Sequence, residues 1–292
     1  MARIIKNIKI YSGADVIENG YLRFSDKIEA IGKMDDFHAQ DGDQEITYEQ
    51  KAFIVPGFID VHTHGGYGFD TMDADPAAMD IFSEHLRHEG ITSFFPTTIT
   101  QTKIKIEKAL RAVKVSYRNN PMVAGVHLEG PFINPEMNGA QPKEFVLRAD
   151  AGLLKSWQIA SGGSIKLVTY APEKADSAFE SSVHNMGVVL SAGHSDQSYF
   201  KMNRGQTLAS HVTHLYNRQS QLQGREPGVS GYALLTPPVM TEIISDGIHV
   251  APEMLSLAYK LKGAGSLELV TDSMRAKDKG NEVSELGGQK LL

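Results

Sequence analysis

The chain has 292 residues, 41% hydrophobic and 22% charged, which fits one large soluble domain or a barrel with a small appendage. Net charge is −6, from 29 basic and 35 acidic side chains, so no basic excess argues for nucleic acid. Cysteine is absent, which excludes disulfides and thiolate metal sites and fits a reducing compartment.

The opening, MARIIKNIKIYSG, has no apolar core long enough for a signal peptide, and no apolar run approaches a membrane span. A cytoplasmic enzyme is therefore expected. Residues 3–32 alternate apolar and polar, with Gly13 and Gly20 as punctuation, and read as a β-meander. The polar stretch 35–50 follows. Residues 1–52 are expected to form a small β-sandwich-type domain.

From Phe53 onward strands and helices alternate. β-branched, apolar runs occupy 53–61, 91–95, 122–128, 165–170, 187–191, 207–213, 239–245 and 267–271. A helix is expected over 76–89, with Asp75 as N-cap, Pro76 at its first position and Gly90 as the stop. Others are expected over 103–117, 173–186, 196–204 and 252–262. Eight strands in alternation with helices predict a TIM-like (β/α)₈ barrel over 53–292. A doubly wound open sheet would want a Gly-rich phosphate loop after an early strand, and neither GxGxxG nor a P-loop occurs.

Chemistry on such a barrel sits at the C-terminal ends of its strands. Seven of the eleven histidines fall in that layer: His62, His64, His127, His194, His211, His214 and His249, joined by Glu129 and Asp272. His85 and His88 lie on a helix and read as solvated; His38 and His184 carry no assignment. His62 and His64 share a face through the two-residue period of a strand. Taken alone, that pair is explained equally well as two buried, hydrogen-bonded histidines. His211 and His214 are three apart, so at most one points inward, and His214 is the better ligand candidate. His127 suits an orienting role behind the ligands. Asp272 has a respectable alternative as a helix N-cap. As a set, imidazoles and carboxylates converging without cysteine suit Zn²⁺ or Fe²⁺ with an open position for water. Such an ion lowers the pKa of water toward ~7 and polarises a carbonyl, while a free carboxylate moves the proton. That chemistry is amide hydrolysis.

The segments PGFIDVHTHGG (56–66), VAGVHLEGPFIN (123–134), SAGHSD (191–196), VTHLYN (212–217), GREPG (224–228), SDGIHV (245–250) and LVTDSMRA (269–276) resemble the N-acetylglucosamine-6-phosphate deacetylase family of the amidohydrolase superfamily. HLEGPF, THLYN and GREPG in combination are specific; the HxH opening is shared across the superfamily. The resemblance implies Glu129, His194 and His214 as ligands of the main metal, and Asp272 as general base and later general acid. It implies a second metal on His62 and His64, hence one or two divalent ions per chain. Asn217 and His249 would contact the sugar, and Arg225 would reach the 6-phosphate across a homodimer interface. Gln141 stands where some members carry a histidine, so the phosphate contact there is expected to be weaker or rearranged. Related hydantoinases and dihydroorotases bridge two metals with a lysine at the end of strand four; here that end reads VTYAPE, and Glu129 offers a substitute bridge.

The resemblance also implies further chain beyond Leu292, in family members, that returns to the small β domain. On that reading the chain is C-terminally shortened, GGQKLL opens an interrupted strand, and the helix after strand eight is missing or reduced to 276–285. The main alternatives to an active deacetylase are a non-catalytic fragment that binds metal or sugar phosphate, and a sister amidohydrolase acting on another N-acyl sugar.

Overall fold

The computed structural model describes residues 1–13, 15–48, 51–203, 205, 207–280 and 283–291. Contacts divide the chain into two compact units, Met1–Phe58 and Ile59–Leu292.

The first unit is the expected meander with two short additions. Strands β1 (Arg3–Ser12), β2 (Asp15–Phe24) and β3 (Ile28–Lys33) pair antiparallel in sequence order, while β4 (Gln44–Glu45) and β5 (Phe53–Ile54) lie parallel to β1. Period-two alternation puts Ile4, Ile8 and Ile10 on one buried face. Val16 and Ile28, apolar in the same pattern, are exposed. Because Phe53 and Ile54 pair with Lys9 and Ile10, this unit runs past the 52/53 boundary read from the sequence.

The second unit opens with β6 (Phe58–Thr63) and a small hairpin, β7 (Gly65–Gly66) with β8 (Phe69–Asp70). Then follow α1 (Pro76–His88), β9 (Ile91–Thr98), α2 (Lys103–Asn119), β10 (Val126–Glu129), α3 (Ala151–Ala160), β11 (Ile165–Tyr170) and α4 (Ser177–Asn185). The series continues through β12 (Val189–Ala192), α5 (Tyr199–Asn203), β13 (His211–Val212), α6 (Gly228–Leu235), β14 (Met240–Ile244), α7 (Pro252–Lys262) and β15 (Leu267–Val270). Eight strands form one sheet in the order β15-β14-β13-β12-β11-β10-β9-β6. A parallel bridge between Thr63 and Ser273 brings its two edges together. This is the (β/α)₈ barrel that the alternating pattern predicts.

The helices pack by the expected rules. Asp75 Oδ1 accepts the Ala77 and Ala78 N–H groups at the start of α1. Met79, Phe82 and Leu86 then point one way at helical spacing and are fully buried. Each such side chain contributes about 1.5–3 kcal/mol through burial. The helix expected over 173–186 is a single 3₁₀ turn, Pro172–Lys174, followed by α4, because Asp176 caps a fresh start by accepting from Phe179 N–H. Two helices had no counterpart in the sequence reading. α3 is short, and its buried stripe is only Leu154, Trp157 and Ala160. α6 (GVSGYALL) is buried almost all round and carries two glycines, so it has no polar face to reveal a period.

After β15 the chain turns through 275–280 and forms a hairpin, β16 (Ser284–Leu286) with β17 (Gln289–Leu291). Gly287 and Gly288 are therefore the turn of a hairpin, with φ of 58° and 86°, rather than the opening of a lone strand. A Cβ on Gly287 would lie 2.6 Å from Ile99 Cγ2, and the Gly287 carbonyl accepts from Gln101 Nε2 at 2.8 Å. No described helix is long and apolar enough to cross a membrane.

Candidate active site

Two backbone regimes deliver the polar side chains at the C-terminal ends of the barrel strands. His62 lies within regular β6, and His64 follows one residue past its end, so both face the mouth. Asp60, two residues earlier on the same face, accepts from Thr271 Oγ1 at 2.6 Å and ties β6 to the end of β15. His194, His214 and Asp272 sit just beyond their strands with φ of 48°, 27° and 46°. Left-handed backbone at a non-glycine residue costs about 1–3 kcal/mol, and such strain collects at functional positions. Glycine permits the close packing behind them. A Cβ on Gly193 would lie 2.8 Å from both Thr169 Cγ2 and Thr213 Cβ, and one on Gly130 would lie 2.2 Å from Thr100 Oγ1.

Glu129 is the centre of the site. Its Oε1 is 3.0 Å from His194 Nε2 and 3.0 Å from His214 Nε2, and those two nitrogens are 3.2 Å apart. Across the mouth, Asp272 Oδ1 is 3.3 Å from His62 Nε2 and 3.4 Å from His64 Nε2. Glu129 Oε2 also lies 3.3 Å from His64 Nε2, so one carboxylate offers an oxygen to each group. Two imidazole nitrogens facing each other at one carboxylate oxygen cannot all be satisfied by protons. Ligand atoms about 2.0–2.2 Å from a single tetrahedral ion lie roughly 3.3–3.5 Å apart, close to what is seen. Both trios, Glu129/His194/His214 and His62/His64/Asp272, therefore fit a divalent metal.

The electrostatics of the residues alone agree with a site built for cations. Burial would lower the His62 pKa, but Asp272, Glu242 and Glu129 outweigh it and leave it well above the ordinary value. His64 is likewise disfavoured by burial and carried up by Asp272 and Glu129 to about 9. Burial would raise Glu129, yet His62 and His194 hold it well below the usual carboxylate range. Asp272, also desolvated, is held down chiefly by His62 and His64. His127 goes the other way, pushed well below by burial and by His62.

The candidate ligands are held from behind. His194 Nδ1 donates to the Met137 carbonyl at 2.8 Å, and His64 Nδ1 to the Thr97 carbonyl at 3.2 Å. His127 bridges the Val61 carbonyl and Thr169 Oγ1, an orienting position. His211 is occupied by Ser191 Oγ and Glu268, which leaves His214 as the member of that pair facing the mouth. Gln141 is buried; its Nε2 donates to Glu129 Oε2 at 2.6 Å and its Oε1 accepts from Thr100 N–H at 2.9 Å. Its amide is thus engaged with the Glu129 carboxylate, and the residue also lines the pocket over the mouth.

A pocket of about 290 Å³ opens over these groups, with Asn217, Arg218 and His249 on its rim and Ile99, Ile244 and Leu286 as its apolar wall. His249 is held by Asp246, whose carboxylate accepts its backbone and ring N–H groups; desolvation would raise the Asp246 pKa, but these bonds and one from Ile248 N–H hold it down at about 2. Arg225 is exposed and is not among the described residues lining the pocket. His85, expected to be solvated, is exposed but stacks its ring on Tyr67 at 4.1 Å. Three residues escaped the sequence reading: Arg218, Leu286 and Glu242. Glu242 is the one acid of β14 (Met240–Ile244), beside Thr241 and among apolar residues, and only the two-residue period of the strand could have marked its direction.

A (β/α)₈ barrel carrying this histidine–carboxylate mouth is the architecture of a metal-dependent amidohydrolase, and residues 53–285 match the Amidohydrolase family. N-acetylglucosamine-6-phosphate deacetylase of Bacillus subtilis (strain 168) is 43% identical over 298 residues, covering 99% of this chain and 74% of that protein. The enzyme of the same name from Lysinibacillus sphaericus is 37% identical, covering 99% and 75%. A solved variant of the Mycobacterium smegmatis deacetylase, in complex with N-acetyl-D-glucosamine 6-phosphate, superposes with a TM-score of 0.87 at 26% identity, covering 98% of this chain and 74% of that one. The chain belongs to the N-acetylglucosamine-6-phosphate deacetylase family.

Proposed function

We propose that this chain hydrolyses the acetamide of N-acetylglucosamine 6-phosphate to glucosamine 6-phosphate and acetate. The observation that carries the reading is the mouth itself: Glu129 gathers His194 and His214 within 3.0 Å, while Asp272 lies opposite beside His62 and His64. Glu129, His194 and His214 would hold the main divalent ion, Zn²⁺ or Fe²⁺, and His62 and His64 a second. Such an ion lowers the pKa of water and polarises a carbonyl.

Asp272 is the proton carrier. Its side chain is 21% exposed where that of Glu129 is 4% exposed, so it is the carboxylate that meets incoming water. It accepts the proton as water attacks the acetyl carbon, then returns it to the nitrogen of the departing amine. Asn217 and His249 hold the sugar at the rim. Arg225 reaches the 6-phosphate from the other subunit of a homodimer, and its planar fork suits a phosphate. The Glu129–Gln141 contact keeps the carboxylate aimed between the two metal positions.

The test is acetate release from N-acetylglucosamine 6-phosphate and from the unphosphorylated sugar, by the metal-supplemented protein and by protein treated with chelator. Metal-dependent release with a preference for the phosphorylated sugar is expected. No release from either sugar in protein shown to contain metal would sink the reading.

A further inference from the structure

Glu242 is completely buried on β14, and nothing in the chemistry above uses it. A buried carboxyl costs several kcal/mol unless its oxygens are engaged, so its contacts carry its purpose. Its Oε2 is 2.8 Å from His62 Nδ1 and 3.1 Å from the backbone nitrogen of His214. Its Oε1 faces His127 Nδ1 and His211 Nε2, each at 3.9 Å.

These contacts fix hydrogen positions. A backbone N–H can only donate, so Oε2 accepts from His214. As a carboxylate oxygen it also accepts from His62, which places a proton on Nδ1 and, in the neutral ring, leaves the Nε2 lone pair facing Asp272 and Glu129. Other histidines of the mouth have Nδ1 on backbone carbonyls: Met137 for His194 and Thr97 for His64. His62 alone among these three has a carboxylate behind it, the stronger way to set a tautomer and raise ligand basicity. That oxygen also grips the backbone of His214, a residue of the other metal trio.

We infer that Glu242 is a positioning residue that makes His62 a metal ligand and couples the His62/His64 position to the Glu129/His194/His214 position. The inference rests on the metal-hydrolase reading of the mouth.

The experiment strips the chain of metal and titrates it with Zn²⁺, following bound ions by equilibrium dialysis and elemental analysis in the parent, Glu242→Gln and Glu242→Leu. Losing such a partner typically weakens metal binding about 10–100-fold. The weaker-bound ion should lose about 100-fold in affinity in Glu242→Leu. Glu242→Gln, whose amide oxygen still accepts, should rescue part of that loss. The tighter ion should move far less in both. A parent that binds a single ion, an unchanged second affinity in Glu242→Leu, or equal loss of both ions would each overturn the inference. If Glu242→Leu does not fold, nitrogen NMR of ¹⁵N-histidine in the metal-free parent, at a pH where the His62 ring is neutral, decides: His62 protonated on Nδ1 supports the inference, and on Nε2 overturns it. A parent that binds no Zn²⁺ refutes the hydrolase reading, and the tautomer measurement then judges the Glu242–His62 contact by itself.

Discussion

The two donor trios of the mouth lie within a few ångströms of each other but are built differently. His62 and His64 come from one strand, two residues apart, and need no unusual backbone. His194 and His214 come from different strands and reach Glu129 only through left-handed backbone just past β12 and β13. The first trio is cheap to build and easy to lose, because one strand period supplies two of its members. The first strains its backbone only at Asp272, whereas the second does so at both His194 and His214 to bring separate strand ends to one carboxylate oxygen. From that difference we expect turnover to depend more on the second trio than on the first.

The sharpest way to break this contrast is metal analysis of variants. His194→Ala should strip the main ion and lower kcat by roughly three orders of magnitude or more, the scale of several kcal/mol of lost charge stabilisation. The double variant His62→Ala/His64→Ala should keep about one ion per chain and measurable turnover. Metal-free double-variant protein beside metal-loaded His194→Ala would reverse the two roles.

Asp272→Asn separates ligation from proton transfer. Turnover should fall at least about a hundredfold, since general acid–base catalysis is worth roughly 10²–10⁴. The Glu129/His194/His214 ion should stay. Wild-type turnover in protein of verified metal content would remove Asp272 from the mechanism.

A smaller effect separates the rim from the mouth. Arg225→Ala should raise KM for the phosphorylated sugar about 10–100-fold and leave metal content unchanged, because a charge-assisted contact is worth about 1.5–3 kcal/mol. Arg218, on the rim of the same chain's pocket, is the control. If Arg218→Ala carries the whole KM effect and Arg225→Ala none, the phosphate is held within one subunit. Mixed dimers of Arg225→Ala and Asp272→Asn chains should recover part of the activity if Arg225 acts across the interface.

The same contrast explains what was legible in the sequence. The strand runs gave the barrel because buried parallel strands read as apolar stretches, and α1 and α7 announced themselves by Pro76, Pro252 and their glycine stops. His62 and His64 were legible as a pair because a regular strand fixes side-chain direction. For His194, His214 and Asp272 the sequence showed position but not direction, since a left-handed turn obeys no period; the family resemblance supplied their roles. Glu242 was hidden because one acid among Met240, Ile243 and Ile244 looks incidental until a register is known. Gln141 was noticed, yet its partner Glu129 lies twelve residues away through a loop that no pattern could close.

The hairpin that ends the described chain has a consequence for which acyl groups the pocket admits. Leu286, with Ile99 and Ile244, gives an otherwise polar pocket a greasy wall, and Gly287 beside it sits close against Ile99. We expect such a wall to act as a length gauge for the acyl group. A single methylene in an apolar pocket discriminates by about 1–3 kcal/mol. Leu286→Ala should therefore narrow the preference for N-acetyl over N-propionyl substrate by roughly tenfold. Side-by-side kcat/KM values for the two acyl sugars would test this, and an unchanged ratio would place the gauge elsewhere in the mouth.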